Sequence, residues 1–244
     1  RSTSPNECEI LFDTVSTITL GNLEAIASTL VSETVRLDYR DSNQTIDIGG
    51  SGGATTTVAD TPGRSISFAN PTNRIEILVA NGVDEVNVGS LSEDIPTLKV
   101  TGDDDDTVNI NGALHFATDH GLEIHEGSVQ LPTAQSNVQT QGAGFISIVA
   151  RRNLGVTSGS AISGDSIELA ADAITIDGVS SIQSTGSVPL RPVTSGATIN
   201  FGGADKLSDT APVLGLSNAE LARITSPTIQ VGSDNSGAIT VTQF

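Results

Sequence analysis

The sequence feature that most constrains the fold is a structural unit that occurs twice between Ile75 and Asn111. When the chain is shifted by 22 residues, segment 84–88 (DEVNV) aligns with segment 106–110 (DTVNI), and Leu78 aligns with Val100. Each copy reads as a short apolar strand, a turn rich in Gly, Asn and Asp, and a second short strand. A unit this small cannot bury its own apolar face, so it must stack on others like it. The repeat therefore predicts an all-β chain folded as a β-solenoid, most simply a parallel β-helix.

The composition of the chain favours stacked coils over a globular core. Apolar residues make up 36% of the 244 residues, but aromatic residues make up only 3%, with no Trp and one Tyr, Tyr39. Globular cores usually rely on aromatic side chains to fill volume. The interior of a solenoid is narrow and is filled by stacked Val, Ile, Leu and Ala, so a scarcity of aromatic residues is expected there.

The charge of the chain excludes several classes of partner. A formal net charge of −18 disfavours binding to nucleic acid, which requires clustered Lys and Arg, and docking on anionic lipid. It suits a solvated exterior, or one that collects cations. No run of 18 apolar residues occurs, so no membrane span is predicted. The single cysteine, Cys8, excludes an internal disulfide framework.

No Pro-rich linker divides the chain, so residues 1–244 are predicted to form a single β-solenoid domain. Clusters of Gly, Asn, Asp, Pro and Ser separate its short apolar segments. Strands are predicted at Val35–Tyr39, Thr45–Ile48, Ser65–Phe68, Ile75–Val79, Val86–Val88, Leu98–Val100, Val108–Ile110, Leu114–Phe116, Leu122–Ile124, Val129–Leu131, Phe145–Val149, Ile167–Leu169, Ile174–Ile176, Val188–Leu190 and Ile199–Phe201.

The N-terminal segment 10–34 is predicted to cap the solenoid. Ile10–Leu20 reads as a strand, and residues 23–31 carry an apolar stripe at helical spacing that follows Asn22, a suitable N-cap. The stripe predicts a short amphipathic helix that covers an open end or side. Two further strands are the alternative, because Thr and Val are frequent in the same segment.

The C-terminal segment 214–244 is predicted to form a helix followed by a pair of strands. Residues 217–220 (SNAE) match a capping box at the start of a helix, and Pro227 ends the helical segment. Thr228–Val231 and Ala238–Val241 then form a hairpin-like pair around a Gly- and Ser-rich turn.

Two passages, 164–178 and 214–241, resemble the repeats of very large bacterial surface and secreted proteins of the filamentous-haemagglutinin-like, giant-adhesin type. The resemblance implies a right-handed parallel β-helix, export from the cell and a role in a cell-surface or extracellular fibre. It carries over no catalytic residue. The chain also contains no Met, so it is expected to be part of a longer protein whose neighbouring domains are its partners.

The densest run of acidic residues follows Gly102 and is a candidate calcium site. Four consecutive carboxylates repel one another, and a hard cation bound through oxygen relieves the repulsion. If the run is a strand, Asp104 and Asp106 point the same way and share an ion, with further ligands one coil earlier. The alternative is a solvated acidic turn. The predicted ligands are Asp84, Glu85, Asp103, Asp104, Asp105 and Asp106.

The three histidines offer a second metal hypothesis. In residues 114–116 and 122–125, alternation places His115, Glu123 and His125 on the face opposite the apolar residues. If those two strands are neighbours, the three side chains form an exterior zinc site. The alternative is that the histidines lie separately on the surface.

The sequence favours a non-enzymatic structural or adhesion module of a large secreted or cell-surface bacterial protein, with no certain cofactor. Carbohydrate, or a ligand on a host or cell surface, is the expected external partner. The alternative is a β-helix polysaccharide lyase or glycoside hydrolase, which requires carboxylates across a sugar cleft. Arg151, Arg152 and the acidic run are the residues available for that role. A cleft lined by carboxylates with Arg or Lys would favour the enzyme, and a flat exterior would favour the stalk.

Overall fold

A computed structural model of the protein describes residues 7–12, 16–21, 25–29, 31–39, 43–50, 54–61, 63–91 and 94–242. Within these residues the chain is a solenoid of mostly parallel strands with one short helix. The strands are β1 (Glu7–Phe12), β2 (Ser16–Gly21), β3 (Ala25–Ser28), β4 (Thr34–Tyr39), β5 (Thr45–Gly50), β6 (Thr55–Asp60), β7 (Ser65–Ala69), β8 (Arg74–Val79), β9 (Glu85–Val88), β10 (Thr97–Thr101), β11 (Thr107–Ile110), β12 (Ala113–Thr118), β13 (Leu122–Leu131), β14 (Asn137–Gln141), β15 (Phe145–Val156), β16 (Ala161–Gly164), β17 (Ser166–Ile176), β18 (Ser181–Ser184), β19 (Ser187–Arg191), β20 (Thr198–Phe201), β21 (Val213–Leu216), β22 (Ile224–Thr225), β23 (Thr228–Val231) and β24 (Ile239–Val241), and the helix is α1 (Asn218–Leu221).

From β10 onward each coil of the solenoid has three faces, whereas in the first coil β5, β6 and β7 pair antiparallel in succession. The first face stacks β4, β8, β10, the first halves of β13, β15 and β17, and then β19 and β23. The second stacks β5, β9, β11 and the second halves of β13, β15 and β17. The third stacks β12, β14, β16, β18 and β22. The predicted all-β parallel solenoid is confirmed.

Columns of apolar side chains fill the interior, one residue from each coil. On the first face Val100, Ile124, Ile148, Leu169 and Leu190 lie opposite one another in successive strands, and all five are fully buried. Alternate residues of the same strands face solvent, because side chains of a β-strand point to opposite sides in turn. Each interior side chain is therefore sheltered by the coil above and the coil below.

The 22-residue repeat is confirmed on the second face and is displaced by one residue on the first. Residues 85–88 lie opposite 107–110 at a shift of 22 residues. On the first face, however, Val100 lies opposite Ile77 and not opposite Leu78, which is only half-buried and points outward. The first copy thus has one more residue between its two buried strands than the second copy has.

The third face was mostly missed by the sequence analysis. Its strands β14, β16 and β18 each bury a single large apolar side chain, which is Val138, Ile162 or Ile182, among Ser, Thr, Asn and Gln. One apolar residue produces no alternating pattern, so the sequence gives no strand signal there. Only the segment around Leu114–Phe116 in β12 was predicted.

The N-terminal end is covered by antiparallel strands. β1 pairs antiparallel with both β2 and β4, and β3 pairs in parallel with β7. The predicted amphipathic helix over 23–31 is wrong where the structure describes it, because residues 25–28 form strand β3; Asn22, its expected N-cap, lies outside the described residues. The free edge of β7 supplies backbone hydrogen-bond partners that an isolated short helix would not gain.

The C-terminal strands continue the stack and do not form the predicted hairpin. β23 pairs in parallel with β19, and β24 pairs in parallel with β20, so each belongs to a different face. The capping box is confirmed at the start of α1, where the Ser217 hydroxyl accepts from the Glu220 backbone N–H at 3.2 Å. In the part of the chain that the structure describes, no helix has the length and apolar character needed to cross a membrane.

One strand in this region is out of sequence order. β21 pairs with β20 and lies beside β17. The later strand β21 therefore lies between β17 and β20, although β20 precedes it in the chain. The intervening residues 202–212 form an insert that overhangs the corner between the first and second faces. The insert is fastened by Asp205, whose Oδ1 accepts from the Gly215 backbone N–H at 2.7 Å. Burial raises the pKa of Asp205 to about 6.

Candidate functional site

The candidate site is the corner between the first and second faces, where charged side chains from several coils lie close together. Residues 102–106, here called the acidic turn, connect β10 to β11. The Asp103 backbone N–H donates to Asp106 Oδ2 at 2.8 Å, and the Asp105 N–H donates to Asp103 Oδ1 at 3.0 Å. The aspartates thus fold their own backbone into a turn and do not extend it as a strand.

Because the segment is a turn, its carboxylates divide between solvent and interior. Asp104 and Asp105 are exposed, whereas Asp106 is 1% exposed, so Asp104 and Asp106 do not share a side as an extended segment would require. Arg151 Nη1 donates to Asp104 Oδ1 at 2.6 Å, and Arg152 Nη2 donates to Asp105 Oδ1 at 2.6 Å. These two guanidinium groups, here called the arginine pair, hold the outer half of the acidic turn.

The arginine pair lies two coils after the acidic turn. A glycine in the coil between them leaves room for the acidic turn to reach the arginines. Arg151 and Arg152 occupy the register shift of β15, and the coil between carries Gly127 at the same corner. A Cβ on Gly127 would overlap the backbone carbonyl of Asp104. Only glycine therefore lets the turn lie across this coil and reach the arginines.

Beneath the turn, a column of buried carboxylates follows the same corner. Asp84 and Asp106 are 2% and 1% exposed. Asp84 Oδ1 accepts from the Gln44 backbone N–H at 2.6 Å, and Asp106 Oδ1 accepts from the Asp84 backbone N–H at 2.8 Å. Each aspartate thus satisfies an N–H of the preceding coil, which a coil corner would otherwise leave without a partner.

Glu126 extends this column into the next coil and has no comparable partner. It is fully buried where β13 shifts register, and within the described part of the chain neither of its carboxyl oxygens has a hydrogen-bond partner. Burial, together with the negative charges of Asp106, Asp103 and Asp84, raises the pKa of Glu126 to about 9 despite the opposing charge of Arg151. The carboxyl group is therefore protonated at neutral pH in the folded chain.

The six predicted calcium ligands are not brought together. Asp84 and Asp106 face inward, Asp104 and Asp105 pair with arginines, and Glu85 points outward to accept from Asn109 Nδ2 at 2.7 Å. Across the described ranges, no three His, Cys, Asp or Glu side chains form a group that could hold a metal ion. Calcium binding stays a prediction.

Glu126 was not predicted as a site residue from the sequence, although one signal was present. Alternation along β13 places Leu122 and Ile124 inside, and the inward position that follows is Glu126. A charged residue at an inward position, followed directly by Gly127, indicates that the strand is interrupted there, and β13 does shift register at this point.

The histidines are separated by the topology. His115 lies on β12 of the third face, whereas Glu123 and His125 lie on β13 of the first face. Lys99 Nζ donates to Glu123 Oε1 at 2.7 Å, and His125 Nε2 lies 3.6 Å from the same oxygen. The condition for the zinc hypothesis, that the two strands are neighbours, is not met, because β12 pairs with β14.

An open groove of about 490 Å³ runs between the arginine pair and the insert 202–212. Its polar lining includes Asp104, Asp172, Ser208 and Asp209 together with the arginine pair. Asp172 is already satisfied: its Oδ1 accepts from the Thr194 backbone N–H at 2.8 Å and its Oδ2 accepts from Thr194 Oγ1 at 2.5 Å. The carboxylates that the groove exposes are therefore Asp104, which is ion-paired, and Asp209.

Comparison with known proteins identifies no relative: no protein-family model, no curated protein and no solved structure matches this chain. The resemblance to filamentous-haemagglutinin-like proteins is not supported by any of these comparisons and stays a prediction.

Proposed function

We propose that this chain is a non-enzymatic structural module, acting as a stalk or adhesion module in a large secreted or cell-surface bacterial protein. The observation that carries the proposal is the open last coil. Ile229, Ile239 and Val241 are 36%, 57% and 64% exposed, whereas Val188 and Ile199, which lie opposite two of them in the coil beneath, are fully buried. The last coil thus presents apolar side chains of the kind that every interior coil covers.

The same coil carries little of the charge that normally protects an edge strand, and its one proline, Pro227, lies before strand β23 and not within it. Soluble proteins place charged side chains, proline or bulges on exposed strand edges, because these edges otherwise pair with other chains. In a chain with 29 acidic and 11 basic residues, residues 224–242 contain a single charged residue, Asp234. An uncharged, apolar and open edge is suited to stacking under a further solenoid coil, and a neighbouring domain of a longer chain is the proposed occupant.

The N-terminal end differs from the open last coil, which supports a rod with two unlike ends. There the β1–β2 hairpin pairs antiparallel with β4 and ends the parallel stack, in the way a capping element does. A stack that is capped at one end and open at the other transmits load along its axis and displays its corners and insert laterally. The proposed location outside the cell rests on the resemblance of residues 164–178 and 214–241 to the repeats of exported proteins.

Adding charge to the open coil is expected to abolish self-association. In isolation, wild-type protein should associate in a concentration-dependent way, since the apolar edge has no other partner. The double variant I239K/V241K should remain monomeric, because two ammonium groups would have to be desolvated at the contact. Sedimentation velocity over a hundredfold concentration range measures the difference.

The matched control is V83K/V179K, which changes two valines that are 62% and 73% exposed at coil corners. It should associate as the wild type does. A wild-type protein that is monomeric at every concentration would contradict an adhesive open coil.

A second function, carbohydrate binding or cleavage, is favoured by one observation. The groove combines the arginine pair with carboxylates, which is the lining expected of a site for an acidic sugar. Two findings weigh against it: the exposed carboxylates are few, and the described aromatic side chains are buried or half-buried, so no flat ring is presented for sugar stacking. Tyr39, Phe68 and Phe116 are buried, and Phe145 and Phe201 are half-buried.

If the chain is a structural module, we expect that it does not cleave saccharides bound in this groove. Wild-type protein and the variant R151Q/R152Q would be incubated with a uronate hexasaccharide and with its neutral counterpart, and new reducing ends would be measured. Neither protein should release products. Cleavage of the acidic saccharide by wild type but not by R151Q/R152Q would replace the structural proposal with the enzymatic one.

A further inference from the structure

We propose that the insert 202–212 is a strap that competes with β17 for one edge of β21. When the insert is bound to β21, the second face is interrupted and the groove beside the arginine pair has its outer wall. When the insert is released, β21 pairs directly with β17 and the groove opens. This device does not depend on the proposed role of the open last coil.

The first argument is a break in the second face. From β5 to β17, neighbouring strands of this face are paired in parallel. The strands that follow, β21, β20 and β24, form a separate three-stranded sheet. β21 lies beside β17 and buries Leu214 and Leu216, but within the described part of the chain no backbone ladder joins the two strands. Two neighbouring strands therefore keep unmatched edges.

The second argument is that the insert occupies the edge of β21 that a ladder with β17 would use. β20 bonds to the even-numbered residues of β21, so the odd-numbered residues direct their backbone groups to the other side. There Lys206 and Val213 exchange two backbone hydrogen bonds, both at 2.9 Å, and the Gly215 N–H donates to Asp205 Oδ1 at 2.7 Å. The insert thus takes the place of a neighbouring strand.

The facing edge of β17 is covered only by a side chain. The Ile176 N–H donates to Glu220 Oε1 at 3.4 Å, which is long compared with the usual value of about 2.9 Å. On the other side of the same strand end, the Asp177 N–H donates to the Val156 carbonyl at 3.1 Å, within the stack on β15. A released β21 would offer Ile176 a backbone carbonyl in place of the distant carboxylate.

The two arrangements exchange one set of contacts for another, which is the property of a two-state element. A Cβ on Gly215 would overlap the backbone of Ala204 and Asp205, so the insert lies directly against β21 and only glycine leaves room for it. The insert also places Leu207, Ser208 and Asp209 along the groove. Its release would therefore remove one groove wall as the second face becomes continuous.

Amide hydrogen exchange of the wild-type protein, followed by NMR, is the first test. The amides of Lys206, Val213 and Gly215 should have one common protection factor, because a single release of the insert exposes all three. The protection factor of Ile176 should be at least tenfold lower than that of its neighbour Asp177. Different protection factors at the three insert contacts, or equal protection of Ile176 and Asp177, would contradict the proposal.

The second test uses the variant D205A/K206P, which removes the carboxylate and one backbone N–H that hold the insert. Its Ile176 amide should exchange at least tenfold more slowly than in wild type, because β21 then pairs with β17. A purely structural role of the insert predicts the opposite, since loosening of this region would speed the exchange. Unchanged or faster exchange at Ile176 would overturn the proposal.

The matched control is D205N, which keeps an acceptor for the Gly215 N–H and should keep the wild-type protection of Ile176. The amide of Ile182, on the third face near the same end, reports whether D205A/K206P retains the fold. If that amide loses its protection, the wild-type protection factors decide the matter alone.

Discussion

Replacement of Gly121 by alanine is expected to destabilise the folded chain by about 3 kcal/mol or more, at the upper end of what overpacking costs. A Cβ at this buried position would overlap the Phe145 carbonyl oxygen and lie 2.8 Å and 2.9 Å from the Phe145 carbonyl carbon and nitrogen. All three atoms are backbone, so no side-chain rotation relieves the contact. The neighbouring coils would have to separate.

That separation would break the ladder between β13 and β15, in which Leu122 pairs with Ile146 directly beyond the clash. The loss would be measured as the free energy of unfolding in urea. The matched control is G178A, since a Cβ on Gly178 meets only the tip of Arg223 at 3.8 Å, and it should change stability by no more than about 0.5 kcal/mol. If G121A were as stable as wild type, the coils could not be packed at this register.

The first two faces of the solenoid could be predicted because their strands alternate. Segments such as Ile75–Val79 and Val108–Ile110 place apolar residues at every second position between Gly, Asn and Asp clusters, and period-two alternation is the signal of a half-buried strand. The third face gave no such signal, because Val138, Ile162 and Ile182 each stand alone. Those strands form because neighbouring coils supply their hydrogen bonds, which is information that no local window contains.

The geometry of the candidate site also depends on contacts between coils and could be predicted even less well than the strands. The acidic run at 103–106 was visible in the sequence. That Asp104 and Asp105 are ion-paired whereas Asp106 is buried depends on the turn that the aspartates themselves create. Arg151 and Arg152 were also noted, but their pairing with aspartates 47 residues earlier in the chain could not be predicted. This separation corresponds to two coil repeats, from the acidic turn to Gly127 and from Gly127 to the arginines, and the length of each repeat is fixed by its corners and not by its strands.

Truncation of one isoleucine in an interior coil is expected to cost far more than truncation of one in the last coil. Ile146 lies between Leu122 and Ile167 and is 1% exposed, so I146A should lose about 2–5 kcal/mol through lost burial and the cavity left behind. Among the described residues, Ile229 has a neighbouring coil only on the side of Val188, and it is 36% exposed. I229A should lose about 1 kcal/mol, because its methyl groups are partly in water already.

Both substitutions would be made in the I239K/V241K background, so that self-association does not shelter Ile229, and the free energies of unfolding would be compared in urea. The two variants remove the same atoms from the same residue type on the same face of the solenoid. The difference between them therefore measures what a second neighbouring coil contributes. Equal losses would mean that Ile229 is as sheltered as Ile146, and the last coil would then not be open to receive a further one.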